Sequence, residues 1–282
     1  MTTAPHTRRL PLLAADSVDV PFTIHGGQEA ISRDTRWAEH SHPTHELLWS
    51  ERGASTASVD GRVWSVTPSI GLWIPAGVPH SGFTPAGLLL RAAHFSPARI
   101  EAPVAVPAAM DITPLLRLLL DRLITEELGE RSRAVTEAMI LDVLVRSPHE
   151  LPLPLPEHPL LAPIVEAERS SPAQTLSLEQ WARRLGVSSR TVTRAFESST
   201  GMSFRTWTAT ARAQRALSLL SGDLLVEDVA RRLGYRSTSA FSAAFRQATG
   251  LTPSQYRRRL PQTAPTDERA ARGPLGSAHA ES

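Results

Sequence analysis

Four side chains in the first third of the chain have the types and spacing of a metal-ligand set. His40 and His42 are two residues apart, Glu46 follows four residues later, and His80 ends the segment Pro75–His80. Residues two positions apart in a strand point to the same face, so we expect His40 and His42 to face one interior. Three imidazoles and a carboxylate suit Zn, Mn, Fe or Ni. A divalent metal is therefore one candidate cofactor.

Two other interpretations of these side chains stay open. They also suit a metal-free polar pocket for a small molecule, or a hydrogen-bonded cluster with a structural role. Four nearby tryptophans, Trp37, Trp49, Trp64 and Trp73, are candidates for the apolar wall of such a pocket, although Trp is more often core. The candidate pocket comprises His40, His42, Glu46, Trp49, Trp73 and His80, and the candidate metal site comprises His40, His42, Glu46 and His80.

Arginine is distributed unevenly along the chain. All 30 basic residues are Arg, which pairs bidentately with phosphate and guanine. Residues 1–160 contain 13 Arg and 18 acidic residues, a net charge of −5, whereas residues 161–260 contain 15 Arg and 7 acidic residues, a net charge of +8. This asymmetry favours a nucleic-acid-binding module joined to a second domain.

The composition excludes several classes of chemistry. Without cysteine there are no thiol nucleophiles or cysteine zinc sites, and without lysine there is no Schiff base or Walker P-loop. No apolar run approaches the roughly 20 residues that span a bilayer, and the first 20 residues are a poor secretory signal. We therefore predict a cytoplasmic protein without a membrane partner.

A length of 282 residues favours two domains, and a proline-rich segment indicates the boundary between them. In Ser147–Pro159 proline occupies nearly every second position, which is typical of an extended, semi-rigid linker. The predicted division is a flexible leader (1–19), a first domain (20–146), the linker (147–159), a second domain (160–260) and a disordered tail (261–282).

The first domain has the pattern of a small β-barrel or sandwich followed by helices. Asp60-Gly61 between two strand-like runs predicts a type I′ hairpin. Thr113-Pro114 predicts a helix start, and a second helix is expected over about Ser132–Val145. The apolar faces of these helices either cover the sheet or pair two subunits. The predicted strands are Glu46–Ser50, Ser55–Val59, Arg62–Thr67, Ile70–Ile74 and Leu88–Phe95.

The second domain contains an internal repeat. The sequence Ala-Arg-Arg-Leu-Gly occurs at Ala182–Gly186 and again 48 positions later at Ala230–Gly234. Phe196–Gly201 then matches Phe245–Gly250 at an offset of 49. Each copy is an amphipathic helix that ends at glycine, a short turn and a second helix, which is the pattern of a helix-turn-helix.

The region between the copies predicts how they would bind DNA. Phe204–Leu220 lacks glycine and proline and predicts one helix of about 25 Å, long enough to hold two recognition helices in successive major grooves. We expect the first recognition helix to supply most base contacts and the second mainly backbone contacts. The candidate DNA-binding residues are Arg190, Thr193, Arg194, Thr238, Ser239, Ser242 and Arg246.

The stretch Val229–Arg258 closely resembles the signature of the AraC/XylS family, and the resemblance covers about residues 165–260. It departs at Ala243, where the family often has Arg. The resemblance implies a one-component transcription regulator whose amino-terminal domain senses a ligand. The partners it implies are double-stranded promoter DNA, a small-molecule effector, RNA polymerase and a second copy of the chain as a homodimer.

The histidine-containing segments resemble the two cupin motifs. His40–Glu46 followed by Gly53 is similar to the first motif and Pro75–His80 to the second, with departures at Ser69 and Thr84. In metal-using cupins the matched positions are the ligands. The fold class expected is therefore α+β in two domains, a cupin-like β-barrel with flanking helices and an all-α bipartite helix-turn-helix domain. The alternative function is a metal-dependent cupin enzyme, an oxygenase or isomerase, with an appended DNA-binding module.

Overall fold

The computed structural model describes residues 4–170 and 176–261, and contacts divide the chain into two compact units. The first unit contains the chain up to Asp60, Ser65–Glu150 and, of the described residues after the helices, those from Arg258 onward; the second contains Gly61–Trp64 and Leu151–Arg257. The first is rich in strands and the second is helical, which confirms the predicted α+β class. The predicted disordered tail, apart from Pro261, lies outside the described residues.

The first unit is built on two sheets. The orders within it are β1-β3-β8-β5 and β10-β7-β4-β9-β2, where neighbouring strands pair antiparallel except β1 with β3, and β6 pairs antiparallel with β11 of the second unit's segment. The strands are β1 (His6–Arg8), β2 (Ile24–Ala30), β3 (Thr35–His40), β4 (His45–Ser50), β5 (Ser55–Val59), β6 (Arg62–Val66), β7 (Ile70–Ile74), β8 (His80–Thr84), β9 (Leu89–Phe95), β10 (Ala108–Asp111) and β11 (Leu153–Pro154).

The turn between β5 and β6 has the predicted type I′ geometry. The φ angles of Asp60 and Gly61 are 50° and 68°, and this turn type requires positive φ at both central residues. Aspartate tolerates this conformation and glycine adopts it freely, so the local sequence determines the hairpin.

Two helices cover the outer face of the second sheet. Thr113 caps α1 (Pro114–Thr125) by accepting a hydrogen bond from the Leu116 amide, and α2 (Glu130–Val143) follows. Their buried side chains join those of β4, β7 and β9 in one apolar core, which includes Leu47, Phe95, Leu116, Leu120 and Ile140. Covering the sheet is therefore one role of the predicted apolar faces.

The predicted flexible leader is partly ordered. His6–Arg8 form β1, which pairs in parallel with Thr35–Trp37 of β3, and Ser41 exchanges hydrogen bonds with the Leu13 backbone. These main-chain groups of the predicted flexible leader therefore have defined partners in the first unit.

The second unit consists of helices. A short 3₁₀ turn at Pro159–Leu161 precedes them, and Leu153 of the proline-rich segment is buried in their core. The Trp207 indole N–H also donates to the Pro154 carbonyl, so part of the predicted linker packs as a component of this unit. The helices are α3 (Ala162–Ser170), α4 (Leu178–Leu185), α5 (Ser189–Thr200), α6 (Phe204–Leu220), α7 (Val226–Arg232), α8 (Thr238–Thr249) and α9 (Pro253–Arg259).

Glycines end the helices at corresponding places in the two copies. Gly186 follows α4 with a φ of 67°, and Gly234 lies at the matching position after α7 with a φ of 75°. A residue in this left-handed conformation ends a helix, and glycine adopts it without steric strain. The repeated Leu-Gly pairs therefore mark the turns of two helix-turn-helix units.

Candidate functional site

The four predicted ligand residues converge on one cavity between the two sheets. His40 of β3 and His80 of β8 are paired across their strands, with ring centroids 4.2 Å apart. Glu46 of β4 comes from the opposite sheet, and its Oε2 lies 3.3 Å from His80 Nε2 and 3.7 Å from His42 Nε2. The Ser41 side chain instead contacts Leu13, as alternation along an extended segment requires.

Main-chain carbonyls orient two of the imidazoles. His40 Nδ1 lies 2.7 Å from the Ala38 carbonyl oxygen, and His80 Nδ1 lies 3.0 Å from that of Val78. Because a carbonyl oxygen only accepts, each Nδ1 carries the proton and donates it. The Nε2 atoms of both rings therefore carry the lone pairs when the rings are neutral.

The cavity perturbs the acidity of its groups. Burial, with the neighbouring His80, lowers the pKa of His40 to about 4, so this ring is neutral at pH 7. Burial alone would raise the pKa of the Glu46 carboxyl, but His42 and His80 outweigh it and hold that pKa well below its usual range. Burial opposes protonation of His80, yet its hydrogen bond to Glu46 and the charge of Glu46 raise the pKa of His80 overall.

The cavity is small and its remaining wall is mostly apolar. Its volume is about 50 Å³, and Leu10, Trp37, Leu48 and Leu90 are among the side chains that close it. Ligand pockets for drug-sized molecules are about 300–1,000 Å³. In this conformation the cavity therefore accommodates an ion or a few water-sized groups.

Two predicted pocket residues lie elsewhere. Trp49 and Trp73 are completely buried in the core between the second sheet and the helices, so the prediction that they line the pocket is wrong. Trp49 is three positions from Glu46 on β4 and so faces the opposite side. Trp73 pairs with Leu47, whose side chain belongs to that core. The tryptophan that lines the cavity is Trp37.

One further histidine belongs to the same region. His94 of β9 pairs across the sheet with Glu46, and its ring centroid lies 5.1 Å from that of His42. Its Nδ1 is 3.1 Å from the Thr44 hydroxyl. His94 is four positions from Leu90 on β9, and Leu90 lines the cavity, so alternation along the strand places both side chains on the cavity face. This spacing could have identified His94 from the sequence.

The second helix of the first helix-turn-helix, α5, presents two arginines to solvent. In α5 the side chains of Val192 and Phe196 are buried, whereas Arg190 and Arg194 are exposed and are one helical turn apart. Thr193 is partly buried and lines a groove with residues of α4 and α6. The exposed face predicted from the periodicity is therefore present, with Thr193 at its edge.

The second helix-turn-helix has a different exposed face. Phe241 and Phe245 of α8 are buried, as predicted. The exposed and partly exposed positions carry small polar or apolar side chains until the last turn, where Arg246 is exposed. Of the predicted contact residues, Thr238, Ser239 and Arg246 are exposed, and Ser242 is partly buried.

A helix without interruption joins the two copies. α6 spans 17 residues with the bounds predicted from the sequence, and its length is about 25 Å at 1.5 Å per residue.

Within the described residues, none of the helices is long and apolar enough to cross a membrane.

Comparison with known proteins matches both units to described domains. Residues 25–144 match the profile of the AraC-like ligand binding domain, and residues 181–259 match that of a helix-turn-helix domain. The two matches therefore fall on the strand-rich unit and on the repeated helices.

Relatives match one or both units. The HTH-type transcriptional regulator NimR of Escherichia coli is 33% identical, over 89% of this chain and 93% of its own length. The HTH-type transcriptional regulator RipA of Corynebacterium glutamicum is 42% identical over 36% of this chain and 32% of its own length. A solved structure, the C-terminal domain of AraT, a response regulator from Geobacillus stearothermophilus, is 31% identical over 40% of this chain and 94% of that domain, with a TM-score of 0.36. The chain therefore belongs to the AraC family of HTH-type transcriptional regulators, DNA-binding proteins that carry a ligand-binding domain.

Proposed function

We propose that this regulator reads two successive major grooves of promoter DNA with unequal use of its two copies. α5 supplies most of the base contacts, through Arg190 and Arg194, and α8 contacts mainly the backbone. The observation that carries this proposal is the pair of exposed arginines on α5, because α8 has no cation on its exposed face before Arg246. Arginine pairs bidentately with guanine O6 and N7, so two arginines one turn apart can read neighbouring base pairs.

The experiment is a comparison of selected and random DNA. A binding site is first selected from random duplexes with the full-length protein. The affinities of wild type and Arg194→Ala are then measured by fluorescence anisotropy on that site and on random duplex. Loss of one bidentate contact lowers affinity for the selected site by about 1–3 kcal/mol, roughly 5- to 150-fold, with a smaller loss on random DNA.

A matched control separates base reading from general charge. Arg33→Ala removes one exposed arginine from the first unit and should leave both affinities almost unchanged. Equal losses for Arg194→Ala on selected and random DNA would show that Arg194 contacts phosphate only.

The outer helices of the first unit support a homodimer. Leu115 and Leu118 of α1 are 47% and 67% exposed, and Val135 and Met139 of α2 are 54% and 42% exposed. In each helix the two apolar side chains have the spacing of one helix face. Exposed apolar faces of this kind are typical of protein interfaces, so we assign them to pairing with a second copy.

Sedimentation of the full chain tests the dimer. Leu118→Asp with Met139→Asp should give a monomer at concentrations where the wild type is dimeric, because it places carboxylates in an apolar interface. Leu12→Asp is the control, since Leu12 is 60% exposed outside these helices. A wild type that sediments as a monomer at all concentrations tested would refute this assignment.

The remaining parts of the proposal follow from this regulatory role. A small effector in the cavity of the first unit shifts the affinity for DNA by its differential affinity for two arrangements of the protein. RNA polymerase is the partner at the promoter, and the protein acts in the cytoplasm, where the DNA is. We propose no enzymatic reaction, because the relatives named above are regulators and the cavity supports a binding role without further catalytic groups.

A further inference from the structure

A short antiparallel ribbon belongs to the helical unit, although one of its strands comes from the other domain's sequence. Gly61–Trp64 fall inside residues 25–144, which match the AraC-like ligand binding domain, yet their contacts place them in the helical unit. There Val63 of β6 pairs antiparallel with Leu153 of β11. Gly61–Trp64 and Leu151–Leu155 together are called the ribbon below.

The alternation of leucine and proline explains why β11 pairs on one side only. Successive residues of a strand direct their main-chain N–H and C=O groups to opposite sides. The Leu155 amide donates to the Gly61 carbonyl at 2.9 Å, so leucines of this segment direct their N–H groups to β6. Prolines occupy the alternate positions, and the side turned away from β6 therefore has no N–H at Pro152, Pro154 and Pro156. Only carbonyl oxygens remain on that side for a donor from another element.

Helix α6 donates hydrogen bonds to the ribbon from one of its faces. The Trp207 indole N–H donates to the Pro154 carbonyl at 2.8 Å. The Gln214 amide donates to the Val63 carbonyl at 2.8 Å and to the Leu151 carbonyl at 2.7 Å. Trp207 and Gln214 are seven residues apart, which is two helical turns, so both side chains point to the same side of α6.

The two donor side chains are buried, so their hydrogen bonds are specific features of the core. Trp207 is 1% exposed and Gln214 is 8% exposed. Burying an amide is unfavourable unless its hydrogen bonds are made, and a position that served packing alone would favour leucine. An amide nitrogen has two N–H donors, and at Gln214 both have an acceptor in the ribbon. Gln214 therefore joins α6 to both segments of the ribbon.

The part of α6 that contacts the ribbon lies between its contacts with the two copies. The Trp207 ring packs on Phe196 of α5, with centroids 5.4 Å apart. Ser221, directly after α6, shares a hydrogen bond of 2.6 Å with Tyr256, whose ring packs on α8. The ribbon contacts extend from Trp207 to Gln214, about 10 Å of helix at 1.5 Å per residue. The ribbon thus holds the segment of α6 that connects the first copy to the second.

We propose that the ribbon is a positioning element for DNA reading. Through Trp207 and Gln214 it fixes the rotation and the position of α6, and α6 in turn fixes the separation and the relative orientation of the recognition helices α5 and α8. Gln214 is a positioning residue, because it has too little exposed surface to contact DNA itself. The inference rests on the proposed function, since it needs both recognition helices on one duplex.

The test varies the spacing of the DNA contacts. Hydroxyl-radical footprinting of the full-length protein maps the two contacted segments of the selected site, and one base pair is inserted between them. The insertion shifts one segment by about 3.4 Å and rotates it by about 35° relative to the other. Fluorescence anisotropy then gives the spacing ratio, which is the affinity for the selected site divided by that for the inserted site. A loss of folded protein lowers both affinities equally and leaves this ratio unchanged.

Variants of α6 should change the spacing ratio according to their contact with the ribbon. The wild type should have a ratio of about 10 or more, because a fixed pair of recognition helices cannot follow the insertion. Gln214→Leu removes two donors at similar volume and should lower the ratio about threefold or more. Trp207→Phe removes one donor and keeps an aromatic ring, so it should lower the ratio less, and it serves as the test if Gln214→Leu does not fold by circular dichroism. Arg215→Gln, at the exposed neighbour of Gln214, is the control and should keep the wild-type ratio.

The outcomes separate the ribbon from base reading. Equal spacing ratios in the wild type, Gln214→Leu and Trp207→Phe would overturn the positioning role, while a preference for selected over random DNA would leave the proposed function standing. A wild type that binds both spacings equally would also overturn the positioning role. Equal affinity of the wild type for selected and random DNA would refute the proposed function, and the positioning role with it.

Discussion

The two helix-turn-helix copies share a scaffold but not a surface. The first recognition helix, α5, buries Val192 and Phe196, and the second, α8, buries Phe241 and Phe245 at the matching positions. Serine caps both helices, and glycine in the left-handed conformation follows both. The framework that holds each helix in place is therefore the same.

The exposed positions differ in charge. Aligning the serine caps at an offset of 49 residues pairs each exposed position of α5 with one of α8. The pairs at the charged and predicted contact positions are Arg190 with Ser239, the partly buried Thr193 with Ser242, Arg194 with Ala243, and Glu197 with Arg246. The positive charge thus lies in the first half of α5 and in the last turn of α8.

The difference teaches that a few positions maintain the helix-turn-helix while the rest can serve different contacts. Buried aromatic residues, caps and turn glycines determine the geometry. Exposed positions contribute little to the fold and are available for contacts with DNA. Base reading by the first copy and backbone contact by the second is the division of labour that this comparison predicts.

The largest effect is expected from giving the first copy the residues of the second. Arg190→Ser with Arg194→Ala should lower affinity for the selected site by about 2 kcal/mol or more, roughly 30-fold or more, because two bidentate contacts are lost. Anisotropy on selected and random duplexes measures the change.

Removing the exposed arginine of the second recognition helix should weaken DNA binding without changing the sequence preference. Arg246→Ala should weaken binding to both duplexes to a similar extent and lower the salt dependence by about one phosphate contact. If Arg246→Ala removed the sequence preference and the double variant did not, the assignment of the two copies would be reversed.

The reverse substitution, in α8, tests whether the exposed face of the second recognition helix can be made to contact bases. Ala243 is exposed and matches Arg194, so Ala243→Arg adds a cation where the first copy has one. We expect an affinity gain of about 1–3 kcal/mol on duplexes with guanine at one new position, found by repeating the selection. A gain that is equal on all duplexes would indicate a phosphate contact, and Ala243→Gln is the uncharged control.

Much of this helical unit was predictable because its signals are local. Helical periodicity, caps and glycines lie within a few residues of each other, and the predicted and observed bounds of α6 coincide. The four-residue cluster of the first unit was also predictable, since alternation places His40 and His42 on one face. The domain boundaries and the DNA contacts themselves stay predictions.

The errors concern pairing between distant segments. The position of Trp73 depends on its pairing with Leu47 of β4, which nothing in the local sequence determines. The pairing of residues 6–8 with β3, which the sequence did not predict, has the same cause. Trp49 is a different case, because its three-residue spacing from Glu46 already excluded a shared face.

Substitution of the turn glycines tests whether the two copies lose the same stability when a side chain is placed in the left-handed turn conformation. Gly186 and Gly234 have φ angles of 67° and 75°, which cost an L-residue about 1–2 kcal/mol. Gly186→Ala and Gly234→Ala should each lower the free energy of unfolding of the helical unit by about that amount in urea, followed by far-ultraviolet circular dichroism. Gly222→Ala is the control in the same unit, because the φ of Gly222 is not positive and an added Cβ would only make ordinary contact with the Leu219 carbonyl oxygen at 3.7 Å. Unequal losses would show that one turn relaxes more easily than the other.

The smallest expected effect on stability comes from the N-caps of α4 and α7, which differ between the two copies. Ser177 and Gln180 form a capping box at the start of α4, whereas Leu225, at the matching position before α7, provides no side-chain cap. Ser177→Ala should therefore destabilise the helical unit by about 1 kcal/mol, and Leu225→Ser should stabilise it by about 0.5–1 kcal/mol, because the added hydroxyl can accept from a free amide of α7. Leu225 is 56% exposed, so little apolar burial is lost with it. The same urea measurement applies, with the exposed Ser198→Ala as control. A destabilised Leu225→Ser would mean that the leucine has a packing role that its exposure does not show, and the first turns of the two copies would then differ in more than their caps.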